Sequence, residues 1–111
     1  MKEVKAYIKR HKLNEVILAL RKVEGLTGVS ILSMQGVGKG WHDRDADLDV
    51  FANRPPGVKL EICCRDDLVE AVVAAIERAA HTGLKGDGKI YVANLEKAVR
   101  ISNGEQGEGA V

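Results

Sequence analysis

Residues 81–92 read HTGLKGDGKIYV and mark the point where a helical pattern gives way to a strand. The apolar residues before this stretch recur at helical spacing, whereas residues 90–92 form a short β-prone run. Three glycines separate the two patterns, namely Gly83, Gly86 and Gly88. Because glycine adopts positive φ at little cost, this stretch predicts a sharp turn between a helix and a strand.

The same turn is compatible with two roles. Main-chain N–H groups in a glycine-rich turn can surround a phosphate, and Lys85 and Lys89 would add positive charge. The alternative is an ordinary helix-to-strand connection with two solvated lysines. The spacing alone does not decide between these interpretations.

Working outward from the turn, the chain alternates between period-2 and period-3.6 apolar patterns. They predict strands at 4–9, 29–34, 58–64 and 89–93, and helices at 11–23 and 68–80. Asp66 or Asp67 is the expected cap of the second helix. Arg100 and Ile101 are candidates for one more short strand. The order indicates an α+β, ferredoxin-like βαββαβ fold with a long loop between strands 2 and 3.

Length and composition limit the class of protein. The 111 residues are typical of a single domain, 1–111, and the net charge of +1 gives no general attraction to nucleic acid. We therefore expect no nucleic-acid partner. The chain contains no apolar run long enough for membrane insertion and no signal-peptide pattern, so it is expected to be cytoplasmic. Cys63 and Cys64 are adjacent in a predicted strand, and buried reduced thiols are the favoured interpretation.

The segment 36–56 is a long polar loop, and loops of this length are usually functional or disordered. Trp41, Val50 and Phe51 are its apolar residues, which would either anchor a partner protein or fold back onto the subunit. His42 with Asp43 could ligate a transition metal, although a solvated histidine is the simpler interpretation. The alternating loop aspartates lack the glycine and glutamate that a calcium loop requires.

Both alternating residue sets of some predicted strands are apolar, as in LEICC at 60–64. Two helices cover only one face of a four-stranded sheet. The opposite face is therefore expected to be covered in an oligomer. The glycine-rich tail, 103–111, is expected to be mobile.

Nearly the whole chain resembles the PII signal-transduction family of nitrogen-regulatory trimers. The resemblance includes YIKRHKLNEVILAL, the GVGKG step after the second strand, and VKLEICCRDDLVEAVVAAIERAAHTG. It is strongest in TGLKGDGKIYV and in VRISNGEQGEGAV at the end of the chain. The resemblance implies a homotrimer that binds ATP or ADP as effectors in the clefts between subunits.

The resemblance also implies a set of nucleotide-binding residues. Lys89 matches the phosphate lysine of the family, and Arg100 matches the first of two phosphate arginines. Ser30, Glu61 and Cys63 match positions that contact the adenine base. The complete implied set is Ser30, Gly36, Val37, Gly38, Lys39, Glu61, Cys63, Gly86, Asp87, Gly88, Lys89 and Arg100.

Several positions depart from the pattern of the family. Ser102 replaces the second arginine, and Gly57 replaces the lysine that closes on 2-oxoglutarate. The loop is slightly shorter near its base and has no clear counterpart of the glutamine that helps to hold Mg²⁺ and 2-oxoglutarate. Mg²⁺ is still compatible with the site, whereas 2-oxoglutarate is disfavoured. The loop contains no Tyr, Ser or Thr, so we expect no covalent modification of the usual kind.

These observations lead to competing functions. The first is a non-enzymatic sensor of ATP and ADP whose loop, through Trp41, His42, Val50 and Phe51, controls a transporter or metabolic enzyme, such as an ammonium transporter. The second is a related trimer tied to bicarbonate or metal transport, with a metal or another small ligand at His42 and the loop carboxylates. A weak ATPase is the third, but no nucleophile–base pair stands out in the sequence.

Overall fold

A computed structural model describes residues 1–36 and 57–111, which form four strands and two helices. The elements are β1 (Lys2–Lys9), α1 (Leu13–Arg21), β2 (Ser30–Met34), β3 (Gly57–Cys64), α2 (Val69–Ala80) and β4 (Gly88–Asn94). Short 3₁₀ helices, Arg10–Lys12 and Asp66–Leu68, lead into α1 and α2. The predicted α+β, ferredoxin-like βαββαβ order is confirmed.

The strands form one antiparallel sheet in the order β2-β3-β1-β4. Lys9 pairs with Gly57, Met34 pairs with Gly57 from the other side, and Ile8 pairs with Gly88. The end of β2, the start of β3, the end of β1 and the start of β4 therefore meet at one end of the sheet, which we call the loop end. At the opposite end, which we call the far end, Lys2 pairs with both Cys64 and Asn94.

The core lies between the sheet and the two helices. Alternate residues of β1 and β3 point toward the helices, and both helices bury residues four positions apart, as period-2 and period-3.6 patterns require. Each fully buried aliphatic side chain contributes roughly 1.5–3 kcal/mol. The buried apolar side chains are Val4, Ala6, Ile8, Val16, Leu20, Val58, Leu60, Ile62, Cys64, Val72, Ile76 and Ala80.

The expected cap of α2 is wrong. The helix begins after Leu68, without a side-chain hydrogen bond at its first turn. Asp66 instead accepts a hydrogen bond from the Met1 amine at 2.7 Å, and Asp67 accepts one from Arg65 at 3.3 Å. Each of the two carboxylates therefore pairs with a nearby charged donor and does not cap the main-chain N–H groups of α2.

The expected short strand at Arg100 and Ile101 is also wrong. Both residues lie in a turn, and the pairing in this region is a single bridge between Val99 and Gln106. The tail, 103–111, ends in a short 3₁₀ helix, Glu108–Ala110. Its expected mobility stays a prediction.

The face of the sheet opposite the helices, which we call the open face, is more polar than the sequence suggested. In the centre of this face, Lys5 pairs with Glu3 at 3.0 Å and Lys59 pairs with Glu61 at 3.1 Å. Because β1 and β3 alternate cleanly, their second residue set is mostly charged and does not form a second apolar layer. The expected cover by an oligomer stays a prediction.

Within residues 1–36 and 57–111, neither helix has the length and apolar character needed to cross a bilayer.

Candidate functional site

The glycine turn, residues 82–88, connects α2 to β4 at the loop end of the sheet. α2 ends at Ala80, and His81 has extended backbone angles that start the turn. Gly86, with φ of +82°, and Gly88, with φ of +109°, adopt left-handed conformations that other residues rarely take. The predicted helix–turn–strand connection is confirmed, and glycine is required at these positions for conformational reasons.

The carboxylate of Asp87 holds the turn together. Its Oδ2 accepts the main-chain N–H of Thr82 at 2.8 Å and that of Gly83 at 3.1 Å. Its Oδ1 accepts the Thr82 hydroxyl and lies 3.1 Å from the Lys9 ammonium, which extends from the end of β1. The carboxylate therefore makes its contacts within the protein.

The same contacts change the acidity of Asp87. Hydrogen bonds from the hydroxyl and the N–H of Thr82 hold the pKa of the Asp87 carboxyl well below its usual range, and the bonds from Lys9 and Gly83 act in the same direction. Such bonds stabilise the ionised form. Asp87 is therefore a carboxylate throughout the neutral range, with its charge compensated by Lys9.

The glycine turn offers donors. Within residues 1–36 and 57–111, the main-chain N–H groups of Lys85 and Gly86 have no hydrogen-bond partner, whereas that of Asp87 closes a hydrogen-bonded turn. The Lys89 side chain has no ion pair within the same ranges, and the residue is exposed. Successive unpaired N–H groups beside a cation are the arrangement that binds phosphate oxygens.

Gly88 sets the distance between the turn and β1. A Cβ built on Gly88 would lie 1.6 Å from the carbonyl oxygen of Tyr7 and 2.7 Å from its carbonyl carbon. No residue with a side chain fits this position while β1 and β4 remain paired. The close approach places Lys89 directly opposite Tyr7 in the ladder.

A cavity of about 360 Å³ lies beside the turn, between α2 and the β1–β4 pair. Of the predicted binding residues within the described ranges, only Asp87, Gly88 and Lys89 line it. The rest of its wall is mostly apolar and comes from α2 and β1. The cavity lining is Tyr7, Ile8, Val73, Ile76, Glu77, Ala80, His81, Asp87, Gly88, Lys89 and Ile90.

The predicted loop base begins at the same end of the sheet as the turn. Gly36 follows Met34, the last residue of β2, and a Cβ on Gly36 would lie 3.1 Å from the terminal methyl of Met34. The remaining predicted loop residues lie outside the described residues. These are Val37, Gly38, Lys39, Trp41, His42, Asp43, Val50 and Phe51.

The predicted base-contacting residues lie away from the turn. Ser30 and Glu61 are direct partners on β2 and β3, and their side chains share the open face with that of Cys63. Cys63 is exposed, so its expected burial is wrong, whereas Cys64 faces the core and is buried. Burial raises the pKa of the Cys63 thiol, and the nearby carboxylates of Glu3 and Glu61 act in the same direction.

Arg100 lies beyond the far end of the sheet, six residues after β4 ends. Its guanidinium donates from Nη1 to Glu105 Oε2 at 2.9 Å and from Nη2 to the carbonyl of Gly109 at 2.8 Å. Its main-chain N–H donates to the carbonyl of Glu105 at 2.8 Å. Arg100 is therefore bound to the tail of its own subunit.

The predicted residues within the described ranges thus form two groups on the chain. Gly36 and the turn residues lie at the loop end, whereas Ser30, Glu61, Cys63 and Arg100 lie toward or beyond the far end. Seven residues of β4 separate the two ends, a distance of roughly 20 Å at the rise of an extended strand. The structure does not bring the two groups together within one chain.

Sequence reasoning missed Lys9 and Thr82. Lys9 reaches the turn from the other end of the sequence, and only the pairing of β1 with β4 brings it there. The Thr82–Asp87 contact spans five residues of an irregular turn, so no periodic pattern predicts it. A metal centre has no support in the described ranges, where no three His, Cys, Asp or Glu side chains are grouped to hold an ion.

The chain is similar to known proteins along its whole length. The model of the family described as "Nitrogen regulatory protein P-II" matches residues 1–105. The chain is 45% identical over 113 residues to a protein of that name from Bradyrhizobium diazoefficiens, with full coverage of both chains. It is 42% identical to the one from Azospirillum brasilense and 41% identical to the one from Rhodospirillum rubrum, again over the full length of each.

Proposed function

The chain belongs to the nitrogen regulatory protein P-II family of signal-transduction regulators, and on that premise we propose that it senses ATP and ADP. The nucleotides bind in the clefts between the subunits of a homotrimer. The protein is a regulator without enzymatic activity of its own. Its loop, 36–56, controls a membrane transporter or a metabolic enzyme of nitrogen regulation.

The main support for this proposal comes from the hydrogen-bond donors and the charges of the glycine turn. Its N–H groups at Lys85 and Gly86 have no protein partner in the described ranges, and the exposed Lys89 follows three residues later. The one carboxylate of the turn, Asp87, is paired with Lys9. A polyphosphate would therefore meet donors and positive charge at this turn.

The separation of the two residue groups supports a cleft between subunits. Lys89 at the loop end and Arg100 beyond the far end do not converge within one chain. In a cyclic trimer, unlike patches of neighbouring subunits meet, so the loop end of one can face the far end of the next. The phosphates would lie on the first and the base on Ser30, Glu61 and Cys63 of the second.

The position of the loop supports a change of loop conformation that depends on the bound nucleotide. β2 ends at Met34 at the same end of the sheet as the turn, and the loop begins two residues later at Gly36. ATP and ADP differ by one phosphate at the end of the nucleotide nearest the turn. A difference in contact there shifts the population of loop conformations, and a partner binds one of them.

Titration calorimetry with ATP, ADP and AMP, each with and without Mg²⁺ and 2-oxoglutarate, tests the proposal. Lys89→Met and Arg100→Met should each weaken ATP binding by roughly 10- to 100-fold, because each removes a charge-assisted contact. Lys97→Met, at an exposed lysine outside the site, is the matched control and should bind like the wild type. Failure of the wild type to bind any adenine nucleotide would reject the proposal.

Mixed trimers test the location of the site. Co-expressed Lys89→Met and Arg100→Met subunits should form trimers in which roughly a quarter of the clefts have both native residues, since each cleft draws from two subunits. ATP binding should therefore reappear in the mixture although each variant alone binds weakly. Binding no better than in the separate variants would contradict a site shared between subunits.

A further inference from the structure

The structure assigns Lys9 and Thr82 to the glycine turn as positioning residues that neutralise and orient Asp87, so that the turn presents only donors to a phosphate. We call Lys9, Thr82 and Asp87 the bracket. The inference rests on the proposed nucleotide site. It also gives Asp87 a different role from the one implied by the family resemblance, because its carboxylate faces the protein.

The contacts of Thr82 make it the centre of the bracket. Its hydroxyl donates to Asp87 Oδ1 and accepts from Lys9 Nζ at 3.2 Å and from the main-chain N–H of Leu84 at 3.1 Å. Its own N–H donates to Asp87 Oδ2 at 2.8 Å. One threonine therefore links β1, the start of the turn and the carboxylate near its end.

Lys9 supplies the charge. Its ammonium lies 3.1 Å from Asp87 Oδ1, and both side chains are partly buried. A Cβ on Gly86 would lie 3.9 Å from Lys9 Cε, so the lysine stem runs next to the turn. Without Lys9, the negative charge of Asp87 would be uncompensated, and its repulsion of a nearby phosphate would grow with the charge of the nucleotide.

The groups that act electrostatically on Asp87 come from three elements. Lys9 belongs to β1, Thr82 and Gly83 belong to the turn, and His81 follows α2 with its Nδ1 at 3.6 Å from Oδ2. His81 is largely exposed, with 73% of its side chain accessible, whereas the Lys9 side chain is 22% accessible. Lys9 is therefore the principal counter-charge.

Lys9→Met keeps the aliphatic stem and removes the charge. We expect it to weaken ATP binding about tenfold, ADP binding less and AMP binding least, as a repulsion that scales with phosphate charge requires. Lys9→Arg should restore most of the affinity. Lys97→Met, at an exposed lysine outside the proposed site, is the control and should leave the affinities unchanged.

Amide hydrogen exchange tests the bracket without any nucleotide. The N–H groups of Thr82, Gly83 and Leu84 donate to bracket atoms, so their exchange should accelerate in Thr82→Val and recover in Thr82→Ser. ATP affinity should change in parallel in these variants.

The outcomes separate this inference from the proposed function. If wild-type protein binds no adenine nucleotide, the proposed function fails, and so does the phosphate-positioning role. If the wild type binds ATP but Lys9→Met binds it equally well, only the bracket inference is overturned. An equal loss for ATP, ADP and AMP would also overturn it, since a general structural defect does not depend on phosphate number.

Discussion

Gly88 and the main chain of Tyr7 leave no space between them for a side-chain carbon: a Cβ on Gly88 would lie 1.6 Å from the Tyr7 carbonyl oxygen. At this position the glycine turn therefore meets β1 through backbone contact, in addition to the side-chain contacts of Lys9. The position of Lys89, one residue further along β4, depends on this contact.

Gly88→Ala is expected to destabilise the protein by about 3 kcal/mol or more, because it adds a clash with the main chain to a positive φ. Gly104→Ala is the matched control, since Gly104 also has a positive φ but its Cβ would meet no atom within 4 Å. The control should cost only about 1–2 kcal/mol. Urea unfolding at one fixed protein concentration measures both, and equal losses would contradict the backbone contact.

Under the proposed function, Glu105 competes with a phosphate for the Arg100 guanidinium. Glu105→Gln removes the charge that holds the Arg100 guanidinium at 2.9 Å, so ATP affinity should rise about two- to threefold, in keeping with the modest strength of an exposed ion pair. Glu108→Gln, a neutralised carboxylate elsewhere in the tail, is the control. Calorimetry distinguishes the two, and a fall in affinity for Glu105→Gln would mean that Glu105 orients Arg100 instead of competing for it.

Stability should depend on pH through Asp87. Its pKa in the folded protein lies below the ordinary value of 3.8, so its stabilising effect is fully present above that value and is lost as pH falls toward the folded pKa. The urea midpoint of the wild type should therefore exceed that of Asp87→Asn by a constant amount between pH 7 and pH 5. The difference should shrink below about pH 4.

The same pH series should be repeated in a His81→Asn background, which removes the imidazole that lies near Asp87. The narrowing below about pH 4 should persist there, since the hydrogen bonds from Thr82 are its main cause. If the difference in urea midpoint between the wild type and Asp87→Asn stayed unchanged down to pH 3, Asp87 would not be the source of this pH dependence.

Cys63 offers a direct probe of the proposed base-binding residues. Its side chain is exposed on the open face beside Glu61, whereas Cys64 is buried. A disulfide reagent should therefore modify one thiol in the native protein and two after denaturation. ATP should slow the native reaction if Cys63 lies against the adenine.

Cys63→Ser identifies the reactive thiol, because this variant should show no fast reaction in the native state. The labelling rate should also be measured with AMP at saturating concentration, since AMP has the base without the polyphosphate. A labelling rate that does not respond to any bound nucleotide would place Cys63 outside the pocket.

The sequence was sufficient for the order of the elements. The alternation of Val4, Ala6 and Ile8 and the four-residue spacing of Val72 and Ile76 are strong periodic signals, and all of these residues are in the core. Such signals arise from burial on one face, and burial is what the fold imposes on the sequence.

The contacts that depend on pairing between distant segments could not be predicted. Lys9 looked like one more exposed lysine of β1, and only the register of β1 with β4 brings it to Asp87. Asp66 looked like a helix cap because a cap is a local interaction, but the Met1 amine is the stronger donor in space. The family resemblance implied Arg100 as a ligand, yet it gave no indication that Glu105 already occupies its guanidinium.

The sheet order has a practical consequence for every experiment that weakens assembly. Within the described chain, β2 and β4 are the outer strands, and Leu32 and Tyr91 on them are solvent-exposed. Outside an oligomer, these two edge strands expose unpaired main-chain N–H and C=O groups, which can pair with strands of other molecules. Variants impaired in assembly should therefore be lost to insoluble material first, so recovered yield is the earliest sign that a substitution has disturbed association.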